Sequence, residues 1–324
     1  MTVPSYLALL ENGELRQRAE ALLKRLESCQ VCPRHCRVKR LEDKRAVCRT
    51  GRYAEVASSC LHHGEEPCIS GERGSGTVFF AHCNLECLFC QNFQISRDWD
   101  EGRGATSPRK LAEIYLDLER QGAHNLNWVS PSHVVPQAVE ALVLAAERGF
   151  RLPVVYNSNG YDDVETLRLL EGIVDIYMPD LKYADEKTAS ELSKAVGYPS
   201  NAQAAIREMW RQTGPLTLDA GGLATRGLLV RHLVLPEGLS QTKEVLAFLA
   251  GALGKGAAVS LMAQYFPASR AATHPRLGRT ITADEWEEAL DALDASGIEE
   301  GFVQDPSASS HYTPDFQKPG HPFE

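Results

Sequence analysis

Strand-like and helix-like patterns alternate through most of this chain, and that alternation restricts the possible folds more than any other feature. Short apolar runs with strand character occupy 77–80, 125–130, 153–158, 174–181, 227–236, 257–265 and 297–305. Helical patterns separate them at 108–121, 134–149, 163–171, 186–196, 201–213, 240–253 and 282–296. The alternation predicts an α/β fold with a parallel sheet and crossover helices. About six such units can form an open, partial barrel or a doubly wound sheet, and periodicity does not choose between them.

Helix start signals and sheet polarity add further expectations. Ser107 before Pro108, and Thr282 or Asp284, are typical of helix N-termini. Leucines at helical spacing predict one more helix over 5–27. In parallel α/β sheets the loops at the carboxyl ends of the strands carry the functional residues, so we expect the site at that edge.

All nine cysteines fall between residues 29 and 90 of the 324. The charged N-terminus lacks the apolar core of a signal peptide, and no run reaches the roughly 18 apolar residues of a membrane span. We therefore expect a cytoplasmic protein, where clustered cysteines indicate metal ligands and not disulfides. The formal net charge is −9 and no long basic run occurs, so neither nucleic acid nor a membrane is an expected partner.

Three of the cysteines lie within the stretch "FFAHCNLECLFCQN", just past the first predicted strand. Cys83, Cys87 and Cys90 have the spacing C-x3-C-x2-C. Three thiolates can hold three irons of a [4Fe–4S] cube and leave the fourth iron open, which suits a catalytic centre. The alternative is a zinc site that a distant residue such as His82 completes.

This spacing, with the aromatic Phe89 before the last cysteine, resembles the signature of the radical SAM superfamily. The longer stretch "EPCISGERGSGTVFFAHCNLECLFCQNFQIS" resembles the group related to the pyruvate formate-lyase (glycyl-radical) activating enzyme, and the resemblance covers residues 29 to 305. It implies a partial (β/α)6 TIM-like barrel of the radical SAM type. It also implies that the three cysteines hold a [4Fe–4S] cluster, whose open iron binds S-adenosyl-L-methionine.

The resemblance implies a reaction as well. Reductive cleavage of S-adenosylmethionine would give methionine and a 5′-deoxyadenosyl radical, which abstracts hydrogen from a substrate. The expected substrate is a protein or peptide, including glycyl-radical activation, and the expected electron donor is a protein such as flavodoxin or ferredoxin. Radical SAM modification of a small molecule is one alternative, and a non-catalytic zinc- or cluster-binding module is another.

The predicted strand ends supply candidate contacts to the cofactor. "NWVSPSHVVPQ" stands where the superfamily has a Gly-Gly-Glu-like motif, so Ser130 and Ser132 are the candidates there, with a plain strand-to-helix turn as the alternative. "YNSNG" and "YMPDLK" resemble segments of the activating enzymes that contact the cofactor and a monovalent cation. The matching candidates are Asn157, Asn159, Asp180 and Lys182, although Asn157 replaces an aspartate of that family. An Asp–Lys pair with a purely structural role is the alternative for the last two.

The later strands add two candidates. Arg231 and His232 are adjacent on a strand and must face opposite sides, and we predict that Arg231 faces the cofactor while His232 packs in the interior. Gln264 is the candidate on the next strand, in place of a histidine that the activating enzymes often have.

Four earlier cysteines form a second group. Cys29, Cys32, Cys36 and Cys48 can close an auxiliary site that holds zinc or an iron–sulfur cluster. Nearby basic residues would stabilise their thiolates. Unmetallated thiols are the alternative, with Cys60 and Cys68 either part of the group or packed alone, and His35, His62 and His63 as substitute ligands or plain polar residues. We therefore divide the chain into an N-terminal helix and Cys-rich metal-binding segment (1–72), a core barrel (73–305) and a loosely packed tail (306–324).

Overall fold

The computed structural model describes residues 3–306, 314–318 and 321–323. Its strands are β1 (Ala54–His62), β2 (Ser75–Phe80), β3 (Ala105–Thr106), β4 (Leu126–Val129), β5 (Val154–Ser158), β6 (Ile176–Pro179), β7 (Thr217–Leu218), β8 (Ala224–Leu228), β9 (Val230–Leu233), β10 (Ala258–Met262) and β11 (Glu300–Val303). Its helices are α1 (Tyr6–Glu11), α2 (Glu14–Lys24), α3 (Pro67–Ser70), α4 (Phe93–Ser96), α5 (Pro108–Arg120), α6 (Val135–Ala146), α7 (Val164–Arg168), α8 (Glu186–Ser193), α9 (Tyr198–Thr213), α10 (Thr242–Leu253) and α11 (Ala283–Ser296). The mixed α/β prediction is confirmed.

Two sheets carry the strands. One has the order β3-β1-β2-β4-β5-β6-β8-β7 and the other the order β11-β10-β9. The segment from β2 to β8 through β4, β5 and β6 is parallel, and a parallel bridge between Asp180 and Arg231 links its β6 end to β9. Units adjacent in sequence are therefore adjacent in space without a reversal of order. This sequential order favours the partial-barrel interpretation, because a doubly wound sheet reverses its order at a switch point. Within the described ranges, β11 pairs only with β10.

The helices cover the sheet with apolar faces. α6 is buried along most of its length and packs between α2 and α5, so it needs no polar face. Ser107 caps α5 and Thr282 caps α11 in a capping box with Glu285, so Thr282 and not Asp284 is the cap. Each helix predicted beyond residue 105 is present.

The N-terminal region departs from the prediction in two ways. The single helix expected over 5–27 is two helices. The first ends before Asn12, because Gly13 has φ +80°, a left-handed conformation that interrupts the helix. Residues 54–62 lie in the segment expected to be Cys-rich and metal-binding, where no strand is predicted, yet they form the long strand β1, which pairs antiparallel with β2.

The run at 227–236 also differs from the single strand that its pattern predicts. It contributes to β8, which pairs with β6, and to β9, which pairs with β10. One apolar segment thus joins the two sheets at the place where Asp180 meets Arg231.

The described part of the tail is packed in some places and exposed in others: Phe316 is buried, whereas Gln317 and Lys318 are exposed. The rings of Phe316 and Phe323 lie 5.3 and 5.9 Å from that of Phe79, and Nε2 of His321 donates to the carbonyl oxygen of Leu61 at 2.9 Å. Residues 307–313, 319–320 and 324 lie outside the described part. No helix of the described chain is long and apolar enough to cross a membrane.

Candidate functional site

A cleft of about 1100 Å³, its open mouth included, lies at the carboxyl edge of the parallel strands. The loop after β2 contributes the three closely spaced cysteines. The ends of β4, β5, β6, β9 and β10 add Ser130, Asn157, Asn159, Asp180, Lys182, Arg231 and Gln264. The carboxyl ends of neighbouring parallel strands meet at one edge, which is why residues far apart in sequence share this cleft.

The end of β5 approaches β6 unusually closely. Gly160 has φ +77°, and a Cβ at this position would collide with the carbonyl oxygen of Asp180. A residue with a side chain could not take this conformation without displacing the β6 end. Gly160 therefore allows Asn159 and Asp180 to stand together at the cleft.

Each of the three cleft thiols has a polar neighbour at its sulfur. Sγ of Cys83 accepts from the backbone N–H of Leu85 and from Nδ2 of Asn159, both at 3.3 Å. The hydroxyl of Ser193 donates to Sγ of Cys87 at 3.0 Å, and the hydroxyl of Ser96 lies 3.1 Å from Sγ of Cys90.

Burial keeps two of these thiols protonated in the metal-free protein. It raises the pKa of Cys83 to about 12 and that of Cys90 to about 11. A bound metal would instead lower the pKa of both thiols, because it binds the thiolate form.

The charged side chains of the cleft form two pairs. Nζ of Lys182 bonds to the carboxylate of Asp180, and although burial favours the neutral amine, that carboxylate keeps the pKa of Lys182 above its usual value. The guanidinium of Arg231 lies 3.4 Å from Oε2 of Glu65 and 3.0 Å from Oε1 of Glu66. When all five groups are ionised, the carboxylates of Asp180, Glu65 and Glu66 exceed the cations of Lys182 and Arg231 by one formal negative charge.

Glu65 and Glu66 were not among the predicted residues. Oε1 of Glu65 accepts from Nδ2 of Asn127 at 3.0 Å and from Nδ2 of Asn157 at 3.2 Å, so it ties the β1–β2 connection to β4 and β5. Burial raises the pKa of Glu65, while Arg231 opposes the rise. In the sequence, the only sign of this role is that two acidic residues, Glu65 and Glu66, are adjacent and stand next to a segment that is buried in the structure.

Eight of the nine predicted cofactor contacts line the cleft, and Ser132 does not. Ser132 is buried in the 3-10 turn after β4, two residues beyond the chain reversal at Ser130, which has φ +56°. Phe89 lines the cleft and packs edge-on against Tyr183 and Tyr265, at 6.4 and 6.0 Å between ring centres. Gln264 is held in a chain of amide hydrogen bonds with Gln91 and Gln304.

Arg231 and His232 face opposite sides of β9. His232 is fully buried, with Nδ1 donating to the carbonyl oxygen of Leu181 at 2.6 Å and Nε2 lying 3.0 Å from the hydroxyl of Thr242. His82, the suggested fourth ligand of a zinc site, faces Glu55 at 3.4 Å and does not line the cleft.

The four N-terminal cysteines do not line the cleft. A hydrogen bond from Cys36 lowers the pKa of Cys29 to about 5, and burial raises that of Cys32 to about 12. Cys60 and Cys68 pack in two other apolar clusters, and His35 pairs with Asp163 at 2.7 Å. In the described ranges, no three His, Cys, Asp or Glu side chains already stand around the position of a single ion.

Comparisons with known proteins give distant similarities. No family model matches the chain. The uncharacterized protein MJ0674 of Methanocaldococcus jannaschii is 29% identical over 279 residues, which are 84% of this chain and 76% of that protein. The uncharacterized protein MJ0808 of the same organism is 28% identical over 170 residues, about half of each chain (48% and 49%).

Two solved structures are similar at TM-scores below 0.5. Methylornithine synthase (PylB) has a TM-score of 0.48 and 14% identity and covers 99% of this chain and 89% of its own. HydG, a maturase of the [FeFe]-hydrogenase, has a TM-score of 0.45 and 11% identity and covers 69% of this chain and 49% of its own.

Proposed function

We propose that this chain is a radical SAM enzyme in which Cys83, Cys87 and Cys90 bind a [4Fe–4S] cluster and the cleft binds S-adenosylmethionine. The observation that carries the proposal is that all three thiols line one cleft at the carboxyl edge of a parallel sheet. Thiolates are the protein ligands of such clusters, and three of them leave one iron for the cofactor.

The surroundings of the sulfurs fit this group better than a single zinc ion. Zinc needs its sulfurs at about 2.3 Å from one point, and no such arrangement exists among the described side chains. A cube has a separate iron for each thiolate, so the sulfurs need not converge. The N–H groups of Leu85 and Asn159 at Cys83 are donors that stabilise a ligating sulfur.

When bound, the cluster and S-adenosylmethionine supply a one-electron cleavage that yields methionine and a 5′-deoxyadenosyl radical able to take hydrogen from a substrate. The protein's part is to hold and orient the cofactor. Lys182 presents an ammonium group to the cofactor carboxylate, and Asp180 fixes its direction. The carboxylates near Arg231 offer an acceptor for a cationic group, and Phe89 forms an apolar wall that limits water.

We propose a protein or peptide as the hydrogen donor, with glycyl-radical activation as its specific form. The strand-end segments that contain Asn159, Asp180 and Lys182 support this proposal, since they resemble those of the activating enzymes. A small-molecule substrate is the alternative. The electron would come from a flavodoxin- or ferredoxin-like protein, which dithionite replaces in an assay.

Anaerobic reconstitution tests the proposal. Iron and sulfide are added to the full-length chain, followed by dithionite and S-adenosylmethionine, and 5′-deoxyadenosine is measured by chromatography. We expect product from the wild type and none above background from Cys87→Ala, with Cys68→Ala as a control that keeps activity. A wild-type protein with a full cluster and no 5′-deoxyadenosine would exclude the radical reaction and favour a non-catalytic metal-binding module.

A further inference from the structure

A second cavity adjoins the cleft. It has a volume of about 930 Å³, its open mouth included, and it lies between the connection from β1 to β2 and the last two strands, β10 and β11. We call it the seam cavity, and its lining consists of residues 63–67, 70–71, 231, 260, 262 and 302–304. Four residues line both cavities, and they are Gly64, Glu65, Arg231 and Met262. A molecule bound in the seam cavity therefore lies beside the cleft.

Glu66 belongs to the seam cavity alone. It lines that cavity and not the cleft, whereas Glu65 lines both. Glu66 is only 7% exposed, and its Oε1 lies 3.0 Å from Nε of Arg231. Its Oε2 has no hydrogen-bond partner among the groups that the structure describes. Because a buried carboxylate oxygen without a donor is costly, a bound group that donates to Oε2 would be stabilised there.

The charges around Glu66 favour a cation. Arg231 lies 3.4 Å from Oε2 of Glu65 as well as 3.0 Å from Glu66, so two ionised carboxylates share one guanidinium and keep one uncompensated negative charge. Glu65 also accepts from two asparagine amides, which leaves Glu66 the less stabilised of the two. A metal ion does not fit, because no three His, Cys, Asp or Glu side chains of the described ranges are placed to hold one. An organic cation needs only one acceptor oxygen.

We propose that the seam cavity binds a primary ammonium group of the substrate and that Oε2 of Glu66 accepts its hydrogen bond. An ammonium is a compact charge that one oxygen can hold, whereas a guanidinium prefers both oxygens of one carboxylate. Oε1 of Glu66 already faces Arg231, so only one oxygen remains. The inference rests on the proposed function in one respect, namely that the bound amine belongs to the molecule that loses hydrogen. A lysine side chain of a peptide and a free alkylamine share this chemistry.

The other walls of the seam cavity suit the alkyl stem of such an amine. Met262, Phe302 and Val303 line the cavity and offer apolar surface to a methylene chain. Val303 is 52% exposed, so the cavity is open to solvent on the side of β11. The terminal torsion of a glutamate is broad, and a rotation of the Glu66 carboxylate turns Oε2 toward an incoming ammonium. The amine can therefore enter from solvent with its charge directed at Glu66.

Calorimetric titration of the full-length chain tests this proposal. The probes are N-acetyl-lysine methylamide and n-pentylamine, and tighter binding of the first or of the second identifies a peptide lysine or a free amine as the source of the ammonium. N-acetyl-norleucine methylamide, which has the stem without the charge, should not bind measurably, and N-acetyl-arginine methylamide should bind more weakly than the lysine probe. Glu66→Gln should raise the dissociation constant at least about tenfold, because it removes the anionic acceptor. Glu72→Gln, an exposed residue nearby in sequence, should leave it unchanged.

A second variant leaves the buried charges in place. Val303→Lys adds a tethered ammonium at an exposed position of the cavity wall and should weaken binding of the lysine probe, whereas Val303→Gln should not. In the reconstituted enzyme, S-adenosylmethionine should not displace the probe, because Glu66 does not line the cleft.

The proposal is overturned if neither amine binds saturably, if folded Glu66→Gln and Val303→Lys bind like the wild type, if the arginine probe binds as tightly as the lysine probe, or if S-adenosylmethionine displaces the amine. These outcomes are independent of the radical reaction. Amine binding without 5′-deoxyadenosine formation would reject the proposed function and keep the ammonium site, and 5′-deoxyadenosine formation without amine binding would do the reverse.

Discussion

Nδ2 of Asn159 donates to Sγ of Cys83 at 3.3 Å. The same amide group donates to Oδ1 of Asn84 at 2.7 Å, so the end of β5 holds both the first cleft thiol and the residue beside it. Asn159 is buried, and its position depends on the close approach that Gly160 permits. The contact connects the sheet edge directly to the proposed cluster.

Replacement of Asn159 by leucine should lower the reduction potential of the cluster, because a hydrogen bond to a ligating sulfur stabilises the reduced, more negative state. It should also reduce the free energy of unfolding by about 1–2 kcal/mol, since Oδ1 of Asn84 loses its donor. A redox titration followed by electron paramagnetic resonance measures the first effect. Asn201→Leu, whose side chain bonds to Gly197 far from the cleft, is the control. An unchanged potential would show that the amide does not act on a ligating sulfur.

Lys182→Met should decrease the formation of 5′-deoxyadenosine by at least about tenfold while the iron content stays normal. The reason is that the variant removes the cationic partner of the cofactor carboxylate and leaves the half-buried Asp180 without its ion pair. Lys182→Arg should keep part of the activity, because it keeps the charge. Lys187→Met, an exposed residue in α8, is the matched control. Equal activity in Lys182→Met and the wild type would remove Lys182 from the cofactor site.

Much of this arrangement could be predicted because it depends on local pattern. The alternation of apolar runs fixes which segments are strands, and strand polarity then places Asn159, Asp180 and Lys182 at one edge. The opposite directions of Arg231 and His232 follow from the period of two along a strand.

Glu65 shows what local pattern cannot supply. Glu65 lies in the connection between β1 and β2, so its position depends on β1. In the sequence, the residues of β1 belong to a cysteine-rich segment with no predicted strand. A buried carboxylate is recognisable only once its partners are known, and here they come from β4, β5 and β9. The exclusion of Ser132 from the cleft has a similar cause, because a 3-10 turn follows β4 immediately.

Arg231→Met should destabilise the protein by about 3–5 kcal/mol near pH 8, because Glu65 and Glu66 would remain buried without a cation. The pKa of Glu65 is already raised by burial, and the loss of Arg231 would raise it further. A carboxyl whose pKa is higher in the folded state than in the unfolded state destabilises the fold wherever it is ionised. The loss of stability relative to the wild type should therefore shrink as the pH falls toward 5.

Urea denaturation of Arg231→Met at pH 8 and pH 5 tests this, with Arg226→Met as the control for loss of a more exposed arginine. The double variant Arg231→Met, Glu66→Gln should recover part of the stability. A deficit that is the same at both pH values would mean that the cost comes from lost packing and not from uncompensated charge.

His232 should make the stability of the protein depend on pH below neutrality. Burial lowers the pKa of His232 to about 4, compared with the ordinary value of 6.5, although its bond to the carbonyl of Leu181 opposes the shift. Between these two values the unfolded chain binds a proton that the folded chain does not, so the free energy of unfolding falls as the pH falls from about 6.5 to about 4. One such group contributes roughly 3 kcal/mol over this window.

His232→Asn should be less stable than the wild type at pH 8, because two hydrogen bonds are disturbed, yet it should lose less stability between pH 7 and pH 5. Urea denaturation across that range gives both slopes, and parallel slopes would show that the buried imidazole is not the titrating group.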